Sequence, residues 1–501
     1  MVVQHNMQAA NANRMLNVTT SAQSKSTEKL SSGYRINRAA DDAAGLTISE
    51  KMRKQIRGLD QASTNAQDGV SSVQTAEGAL TEVHSMLQRM NELATQAANG
   101  TNSKDSDRQA IQDEIDQLTT EIDRVSETTK FNETYLLKGE DGTKTINMKA
   151  HDAGLKGKLT DNGDGTATFV MDTLNAGDKV SIGGKSYTIG SDDAEVEKWF
   201  TDNGNDVKDE ATKKVTVNGT EYTYYAAKAA NTTAGSLTDG WNAGWYASAP
   251  TDKGDGTGTA LSGKFANVDA IKAEVKKGAT VQNGTKSVTG MNDTTPKDGV
   301  SDTDATVISK NKAYELASKE LLKANQIGDT EGNAQVGTGA DVDEAVDLTH
   351  GDGTFSIKVG QAKVANSLAF SLHVGADADM TNKIQVNIDA MDSASLGIKG
   401  LNVKDDSGNA ATYAVDAISD AISKVSSQRS ALGAVQNRLE HTINNLDNVV
   451  ENTTTAESRI RDTDMAEEMV NYSKNNILAQ AGQSMLAQAN QSNQGVLSLL
   501  Q

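Results

Sequence analysis

The sequence predicts a mainly α-helical protein with a β insertion. Long helices at the N- and C-terminal ends pair as a coiled coil or helical bundle, and central glycine-rich β modules form the outer domains. Glycine indicates this division, because residues 1–140 and 413–501 hold only ten of the 43 glycines. Both prolines and all three tryptophans are central too. Apolar residues recur at helical spacing in the two ends and alternate in the middle.

Two long heptad tracts predict the main helices. Between 56 and 97 apolar or small residues fall three or four positions apart, with polar interruptions at Ser63 and Glu77. The pattern resumes over 111–125 and is matched over 415–450. A helix of about 40 residues is about 60 Å long, and a 3.5-residue period implies left-handed coiling against a partner helix. These tracts therefore predict a helical rod.

The outermost tracts, 1–33 and 456–501, predict a second and weaker pair of helices. They are rich in Ala, Gln, Asn and Ser. Their thin apolar stripes consist of Val3, Met7, Ala10 and Leu30 at one end and Met465, Met469, Ile477, Met485, Leu486 and Leu497 at the other. Such helices bury little surface alone. We expect them to become ordered when they pack against other copies of the chain.

The middle of the chain has hairpin signatures. Residues 180–189 alternate around Gly-Gly and residues 214–225 around Asn-Gly. The phrase Gly-Asp-Gly-Thr starts at Gly163, Gly254 and Gly351. It predicts a repeated turn followed by a strand, as repeated small domains would produce. One helix, over 311–324, is expected to interrupt the strands.

These patterns divide the chain into three parts. Residues 1–42 and 456–501 form a helical coiled coil. Residues 43–140 and 367–455 form a helical rod core with β-hairpin segments. Residues 141–366 form an insertion that is mostly β, with two subdomains as an option.

Composition excludes several classes of protein. The absence of cysteine excludes disulfides, thiolate metal sites and a cysteine nucleophile. A net charge of −20 argues against nucleic acids and anionic membranes as partners. No apolar run approaches the roughly 18 residues of a membrane span, and no cleavable secretory signal is visible. The chain is expected to be cytosolic or to be exported by another route.

The candidate ligand-binding and catalytic motifs lack the residue spacing that their chemistry requires. Gly184-Lys185-Ser186 ends like a phosphate-binding loop, but Lys179 stands where that loop needs glycine. The Asp-rich turn at 161–165 lacks the downstream glutamate of a calcium loop. There is no H-E-x-x-H and no G-x-S-x-G. We therefore expect neither an enzyme nor a cofactor or metal site.

A charged cluster between the first two predicted helices indicates a joint. Residues 31–33 stop the first helix, and Asp41 and Asp42 are placed to cap the next. Arg35 and Arg38 can pair with carboxylates nearby or on another subunit. A solvated helix end is the simpler alternative. The remaining candidates for subunit packing are Arg459 and Arg461.

Several stretches together resemble bacterial flagellin. They lie at 30–46, 52–59 and 74–80 in the N-terminal part, at 370–374, 384–388 and 394–403 before the last long helix, and at 458–469 and 477–490 in the C-terminal part. The stretch at 30–46 reads Leu-Ser-Ser-Gly-Tyr-Arg-Ile-Asn-Arg-Ala-Ala-Asp-Asp-Ala-Ala-Gly-Leu. The resemblance covers 1 to about 137 and about 367 to 501. It leaves the central insertion unmatched.

The resemblance implies a structural subunit that polymerises helically into the extracellular flagellar filament and serves motility. It implies export through the flagellar type III apparatus. The implied partners are other copies of the chain, an export chaperone, and cap and hook-associated proteins. A hook–filament junction adaptor is the nearest alternative. A filament protein carrying an enzyme, and a glycan-binding adhesin using Trp241, Trp245 and Tyr246, are the others.

A second implied role is recognition by vertebrate Toll-like receptor 5. The family's receptor-binding stretch matches 87–93 with Glu114 on the next helix. The resemblance gives this role to Leu87, Arg89, Leu93 and Glu114, with Arg89 and Leu93 as anchors. Asn91 stands where many relatives have Arg. The alternative is that Leu93 is only a seam residue and Arg89 only a filament contact.

Overall fold

A computed structural model of the protein describes residues 6–101, 103, 106–228, 240–250, 263–294, 297–338, 353–405 and 408–499. The chain divides into two compact units. Unit 1 comprises Met1–Thr75, Ala369–Asn387 and Ser430–Gln501, and unit 2 comprises Ala76–Leu368 and Ile388–Arg429. Long helices at both ends and β-sheets in the middle confirm the predicted fold class.

The helices are α1 Met7–Ser32, α2 Ala43–Ala97, α3 Asp107–Thr128, α4 Asp193–Asp202, α5 Val268–Val275, α6 Lys310–Asn325, α7 Ser393–Leu396, α8 Asn409–Arg461 and α9 Met465–Leu499. The strands are β1 Lys130–Phe131, β2 Thr134–Tyr135, β3 Glu140–Asn147, β4 Gly157–Asp161, β5 Thr166–Met171, β6 Lys179–Ile182, β7 Lys185–Gly190, β8 Lys214–Val217, β9 Thr220–Tyr225, β10 Gly244–Tyr246, β11 Thr280–Asn283, β12 Lys286–Thr289, β13 Val307–Ser309, β14 Gln335–Thr338, β15 Thr354–Lys358, β16 Gln361–Asn366, β17 Leu368–His373 and β18 Lys383–Ile388.

In unit 1 the hairpin β17–β18 packs on α2 and α8. Ala66 and Leu439 of the helices form a small core with Val374 and Ile384. The predicted polar interruption at Ser63 is buried, and its hydroxyl donates a hydrogen bond of 3.1 Å to Asp447. The interruption is therefore a satisfied polar contact between the two helices.

The predicted heptad residues in the second half of α2 are buried. Val73, Leu80, Val83, Leu87, Met90, Leu93 and Ala97 are each at most 2% exposed. On α8, the residues seven apart are buried in the same way, beginning with Ile418 and Val425. The second polar interruption, Glu77, lies 3.5 Å from Arg429 in an ion pair. The heptad prediction is confirmed, and both interruptions have partners.

The insertion begins and ends in one antiparallel pair. Strand β3 pairs with β16, so that Asn147 lies opposite Gln361 and Thr143 opposite Ala365. Beyond this pair, one core joins the sheet β14-β15-β5-β4 and the sheet β13-β7-β6 to helix α6. Phe169 and Phe355 stack in it at 6.3 Å between ring centres.

A second core of the insertion lies under the five-stranded sheet β10-β9-β8-β11-β12. Helices α4 and α5 cover this sheet with Val196, Phe200, Ile271 and Val275. Trp245 is fully buried here. The insertion thus contains two hydrophobic clusters, one built with helix α6 and the other with helices α4 and α5.

Both predicted hairpins are confirmed. β6 pairs with β7 and β8 with β9, each antiparallel. Gly183 and Gly184 have φ of +58° and +69° in the first turn. A two-residue hairpin turn of type I′ requires positive φ at both central residues. Gly184-Lys185-Ser186 is therefore part of a hairpin and not the end of a phosphate-binding loop.

Two expectations for the insertion need correction. The first and third Gly-Asp-Gly-Thr phrases do not mark separate domains, because the strands that follow them, β5 and β15, are neighbours in one sheet with Phe169 opposite Phe355. The second phrase, at 254–257, lies outside the described residues, as do Gly351 and Asp352. The single expected helix, confirmed as α6, is joined by α4 and α5. These helices have only 10 and 8 residues, and such short stretches give little periodicity to read.

Candidate assembly surfaces

The first surface is built on the pairing of α1 with α9 in unit 1. Along each helix the residues that are shielded recur three and four apart. They are Ala9, Ala12, Leu16, Thr19, Gln23, Ser26 and Leu30 on α1 and Glu468, Tyr472, Asn475, Ala479, Gly482, Leu486 and Ala489 on α9. Gly482 faces Leu16, and a Cβ added at Gly482 would lie 3.4 Å from the Leu16 side chain, in van der Waals contact with it. The amide of Asn6 donates to the carbonyl of Ala489 at 3.2 Å. The pair is a short coiled coil with small residues in its seam.

The outward faces of this pair carry large apolar side chains among polar ones. The exposed large apolar residues are Met7, Met15 and Val18 on α1, and Met465, Met469, Val470, Ile477, Leu478 and Met485 on α9. On α1 only Ser26 is buried. Nine large apolar side chains exposed on two neighbouring helices indicate an interaction site.

The structure separates the residues predicted for the C-terminal assembly helix. Leu486 lies in the seam against α1, whereas Met469, Ile477 and Met485 point outward. Leu497 and Val3 lie outside the residues whose side chains the structure describes. Sequence spacing did not distinguish seam from surface, because apolar residues occur on both faces of α9.

The joint is formed by two connecting segments that pair. Gly33 ends α1 in the left-handed region, at φ +76°, and its N–H donates to the carbonyl of Lys29. Arg35 N–H donates to the carbonyl of Arg461 at 2.7 Å, and Thr463 N–H donates to that of Gly33 at 2.9 Å. These bonds join the end of α1 to the start of α9.

Carboxylates close the loop that follows. Asp41 accepts hydrogen bonds from the backbone N–H of Arg38 at 2.9 Å and of Asn37 at 3.2 Å. The bond from Arg38 lowers the pKa of Asp41 below its ordinary value. Asp42 accepts from Gly45 N–H at 2.8 Å and so caps α2.

The arginines of the joint differ in their contacts. Arg461 bonds Glu50 at 2.7 Å and lies over the ring of Tyr34 at 5.0 Å. This hydrogen bond lowers the pKa of Glu50. Arg38 pairs with Glu28 at 2.9 Å. Arg35 donates from its guanidinium to the carbonyl of Ile460, and Arg459 is exposed. Sequence reasoning missed Tyr34 and Glu50, whose partners lie more than 400 residues away.

The stretch expected to bind a receptor divides into a buried and an exposed part. Leu87 is fully buried and Leu93 is 2% exposed. Arg89 is half-exposed, and its guanidinium bonds Glu114 at 2.9 Å and Glu92 at 3.2 Å. The accessible feature is therefore an arginine held between two carboxylates on α2 and α3.

The remaining candidate sites are occupied by structural contacts. Trp245 and Tyr246 are buried, and the Trp245 indole donates to Asp209 at 2.8 Å. No group of three His, Asp or Glu side chains suited to a metal ion occurs among the described residues. In the described part of the chain, none of the helices combines the length and apolarity that a membrane crossing requires.

Paired terminal helices that expose large apolar side chains, joined to a long helical core and a β insertion, indicate a class of protein. The class is the structural subunit that completes its packing with other copies of itself.

Comparisons with known proteins identify the family. Residues 3–141 match the model of the bacterial flagellin N-terminal helical region, and residues 415–500 match that of the flagellin C-terminal helical region. Flagellin of Clostridium tyrobutyricum is 36% identical over 99% of this chain and 100% of its own length. Flagellin of Bacillus subtilis is 33% identical over 100% of both chains. The chain belongs to the bacterial flagellin family and is a structural subunit of the flagellar filament.

One solved structure, that of FliC from Burkholderia pseudomallei, is 18% identical over 74% of this chain and 99% of that chain, with a TM-score of 0.22. The relatives from Clostridium tyrobutyricum and Bacillus subtilis are both named flagellin, which favours a filament subunit over a hook–filament junction adaptor.

Proposed function

We propose that the chain polymerises through the exposed faces of α1 and α9. In this arrangement residues 1–42 and 456–501 form the inner coiled coil, residues 43–140 and 367–455 form the surrounding rod, and residues 141–366 face solvent. Arg35, Arg38, Asp41, Asp42, Arg459 and Arg461 position the joint between the inner coil and the rod. The filament lies outside the cell.

The apolar stripe of α9 supports this proposal. Val470 and Ile477 are both 67% exposed although both are large and aliphatic. They are seven residues apart, so they line one face of the helix. A second copy that covers this face would remove the apolar surface from water.

Seeded assembly tests the proposal. Purified monomer is added to short filament seeds, and sedimentation is followed over time. Val470→Asp with Ile477→Asp should abolish incorporation, because it would bury two unpaired carboxylates. Val170→Asp, which places a carboxylate at an exposed valine of the insertion proposed to face solvent, is the matched control and should assemble. Deletion of 1–33 or 470–501 should also prevent assembly. Incorporation of the double variant at the normal rate would contradict the proposal.

We also propose that a partner protein binds the exposed face of α9 before assembly. An export chaperone that binds α9 would shield Met469, Ile477 and Met485 until the chain leaves the cell. Cap and hook-associated proteins would meet the same faces at the filament ends. Protection of α9 from hydrogen exchange on mixing with the chaperone checks the first contact, and unchanged exchange would refute it.

A second proposed function is binding to Toll-like receptor 5. The observation in its favour is the exposed Arg89 fixed between Glu92 and Glu114. An arginine already held in position loses little side-chain freedom on binding, which suits an interface anchor. Leu87 and Leu93 contribute by holding the α2 surface in place.

Binding of monomer variants to the purified receptor tests this function. Arg89→Ala should weaken binding by at least about tenfold. Arg124→Ala is the matched control, because Arg124 also forms an exposed ion pair within one turn of a helix, with Glu121. Leu93→Ala should weaken binding only with a loss of stability, which a denaturation curve detects. Unchanged affinity of Arg89→Ala would reject the proposal.

A further inference from the structure

Methionine is unevenly distributed over the surface of this chain. Of the described methionines, six are exposed, and five of these lie on α1 or α9: Met7, Met15, Met465, Met469 and Met485. The sixth is Met380 in the turn between β17 and β18, at 72% exposed. The other described methionines are buried, as Met90, Met148 and Met171 are, or partly buried, as Met52 and Met86 on α2 are. Oxidisable thioethers are therefore concentrated on the surfaces proposed to meet other copies.

Two of these thioethers share one groove. A groove of about 650 Å³ runs between α1 and α9, and Met15 and Met485 line it from opposite helices. Met15 is 56% exposed and Met485 is 61% exposed, so both sulfurs are open to small oxidants in the monomer. The other lining residues are Gln8, Asn11, Ala12, Gly482, Gln488 and Ala489.

We propose that Met15 and Met485 are oxidation sites at which a hydroperoxide switches off assembly of the monomer. The proposal rests on the filament function above. The thioether sulfur attacks one oxygen of hydrogen peroxide, the O–O bond breaks, and an S–O bond forms. Sulfur loses two electrons, the peroxide is reduced, and water leaves with both peroxide protons.

The sulfoxide adds a polar group to the part of the groove where the two thioethers lie. A flexible thioether fills irregular gaps between packed helices. A sulfoxide oxygen is a strong acceptor, and a second copy that covers the groove would remove it from water, which costs free energy. Neither helix needs to unfold for this effect, since both side chains already face solvent. Assembly should in turn protect these sulfurs, because a packed copy excludes the oxidant.

Partition of oxidised monomer tests the proposal in the unmodified chain. Monomer is treated with limiting hydrogen peroxide, the oxidant is removed with catalase, and filament seeds are added. Peptide mass spectrometry then measures sulfoxide at each methionine in the pellet and the supernatant. Sulfoxide at positions 15 and 485 should be about tenfold lower in the pellet, the factor that corresponds to about 1.4 kcal/mol. Sulfoxide at Met380 should be equal in both fractions.

Repair and substitution give the controls. Methionine sulfoxide reductases should restore assembly of the supernatant fraction. After peroxide treatment, Met15→Leu with Met485→Leu should retain more assembly than the unmodified chain, and Met380→Leu should remain as sensitive as the unmodified chain. Leucine has nearly the volume of methionine, so the double variant keeps the apolar groove.

The outcomes separate the two proposals. Equal sulfoxide at positions 15 and 485 in pellet and supernatant, or equal depletion at Met380, would overturn the oxidation proposal. Undiminished peroxide sensitivity of the double leucine variant would do the same. Failure of untreated, unmodified monomer to assemble on seeds would instead overturn the filament proposal. If the leucine variant alone fails to assemble, the partition experiment on the unmodified chain decides.

Discussion

The seam residues of the pair α1/α9 and those of the α2 segment in unit 2 have the same spacing along the chain. The seam of α2 is buried, whereas the seam of the terminal pair is mostly only partly buried. In α2 the seam holds Leu80, Leu87 and Met90, all fully buried. In α1 the seam is mostly Ala, Thr, Gln and Ser, and a single residue, Ser26, is buried. A heptad period therefore fixes which residues face a partner helix, whereas side-chain size decides how much free energy the contact yields. The terminal pair has most of its larger apolar residues outside its own seam, where another copy can cover them.

Truncation of a buried seam residue should have the largest effect. Leu87→Ala removes a fully buried side chain and should lower the free energy of unfolding by about 3 kcal/mol. Ile477→Ala, on the exposed face of α9, should change it by less than about 0.5 kcal/mol. Urea denaturation followed by circular dichroism measures both. A similar loss in the two variants would remove the contrast between the helices.

The end of α2 should be the next most sensitive point. Arg108 is 2% exposed, and its guanidinium donates to the carbonyls of Ala97 at 3.0 Å and Asp405 at 2.7 Å. Arg108→Met leaves carbonyls at the C-terminus of α2 without donors and should cost about 2 kcal/mol.

Arg124→Met, on the exposed face of the same α3 helix, is the control for Arg108→Met, and its effect should stay below about 0.5 kcal/mol. The midpoint of urea unfolding checks both variants. Equal midpoints for the two would show that the buried contacts of Arg108 contribute nothing.

A smaller effect is expected from enlarging the seam of the terminal pair. Gly482→Leu places a side chain where Leu16 already lies, and should loosen α1 from α9 at a cost of about 1 kcal/mol. Gly433→Leu on α8 meets open space and should preserve the fold. Hydrogen exchange of α1 amides measures the loosening. Unaltered exchange in the Gly482 variant would argue against a close seam.

Acid should give the smallest change, at the joint. The hydrogen bond from Arg461 lowers the folded-state pKa of Glu50 below its ordinary value of 4.5. The stabilisation from this pair is therefore fully present above pH 4.5 and is lost as the pH falls through the lower folded-state value. Glu50→Gln should abolish that acid dependence in hydrogen exchange at the joint. A variant that retains it would assign the dependence to another carboxylate.

Much of the fold could be predicted because it follows from short-range patterns. The heptad tract at 56–97, the Gly-Gly and Asn-Gly hairpins and the cap at Asp42 each depend on residues close in sequence. What could not be predicted depends on pairing over long distances. The partnership of β5 with β15 and of Glu50 with Arg461 leaves no local signature.

For the candidate surfaces too, local features could be predicted from the sequence, whereas features that depend on a distant partner could not. Sequence composition located the terminal helices, but Leu486 and Met485 are adjacent and only the structure shows that the first is shielded and the second exposed. The predicted receptor stretch likewise could not separate buried Leu93 from exposed Arg89. Which side of a helix is covered depends on its partner, and the partner of α9 is encoded more than 430 residues earlier.

The antiparallel pair β3–β16 has a consequence for how this chain can change. Because the insertion enters and leaves through adjacent paired strands, its two ends stay a few ångströms apart whatever lies between them. A module of different size or sequence can replace the residues between β3 and β16 without a change in the register of the helices. Evolution can vary, and an engineer can graft, the insertion while the terminal helices remain the same.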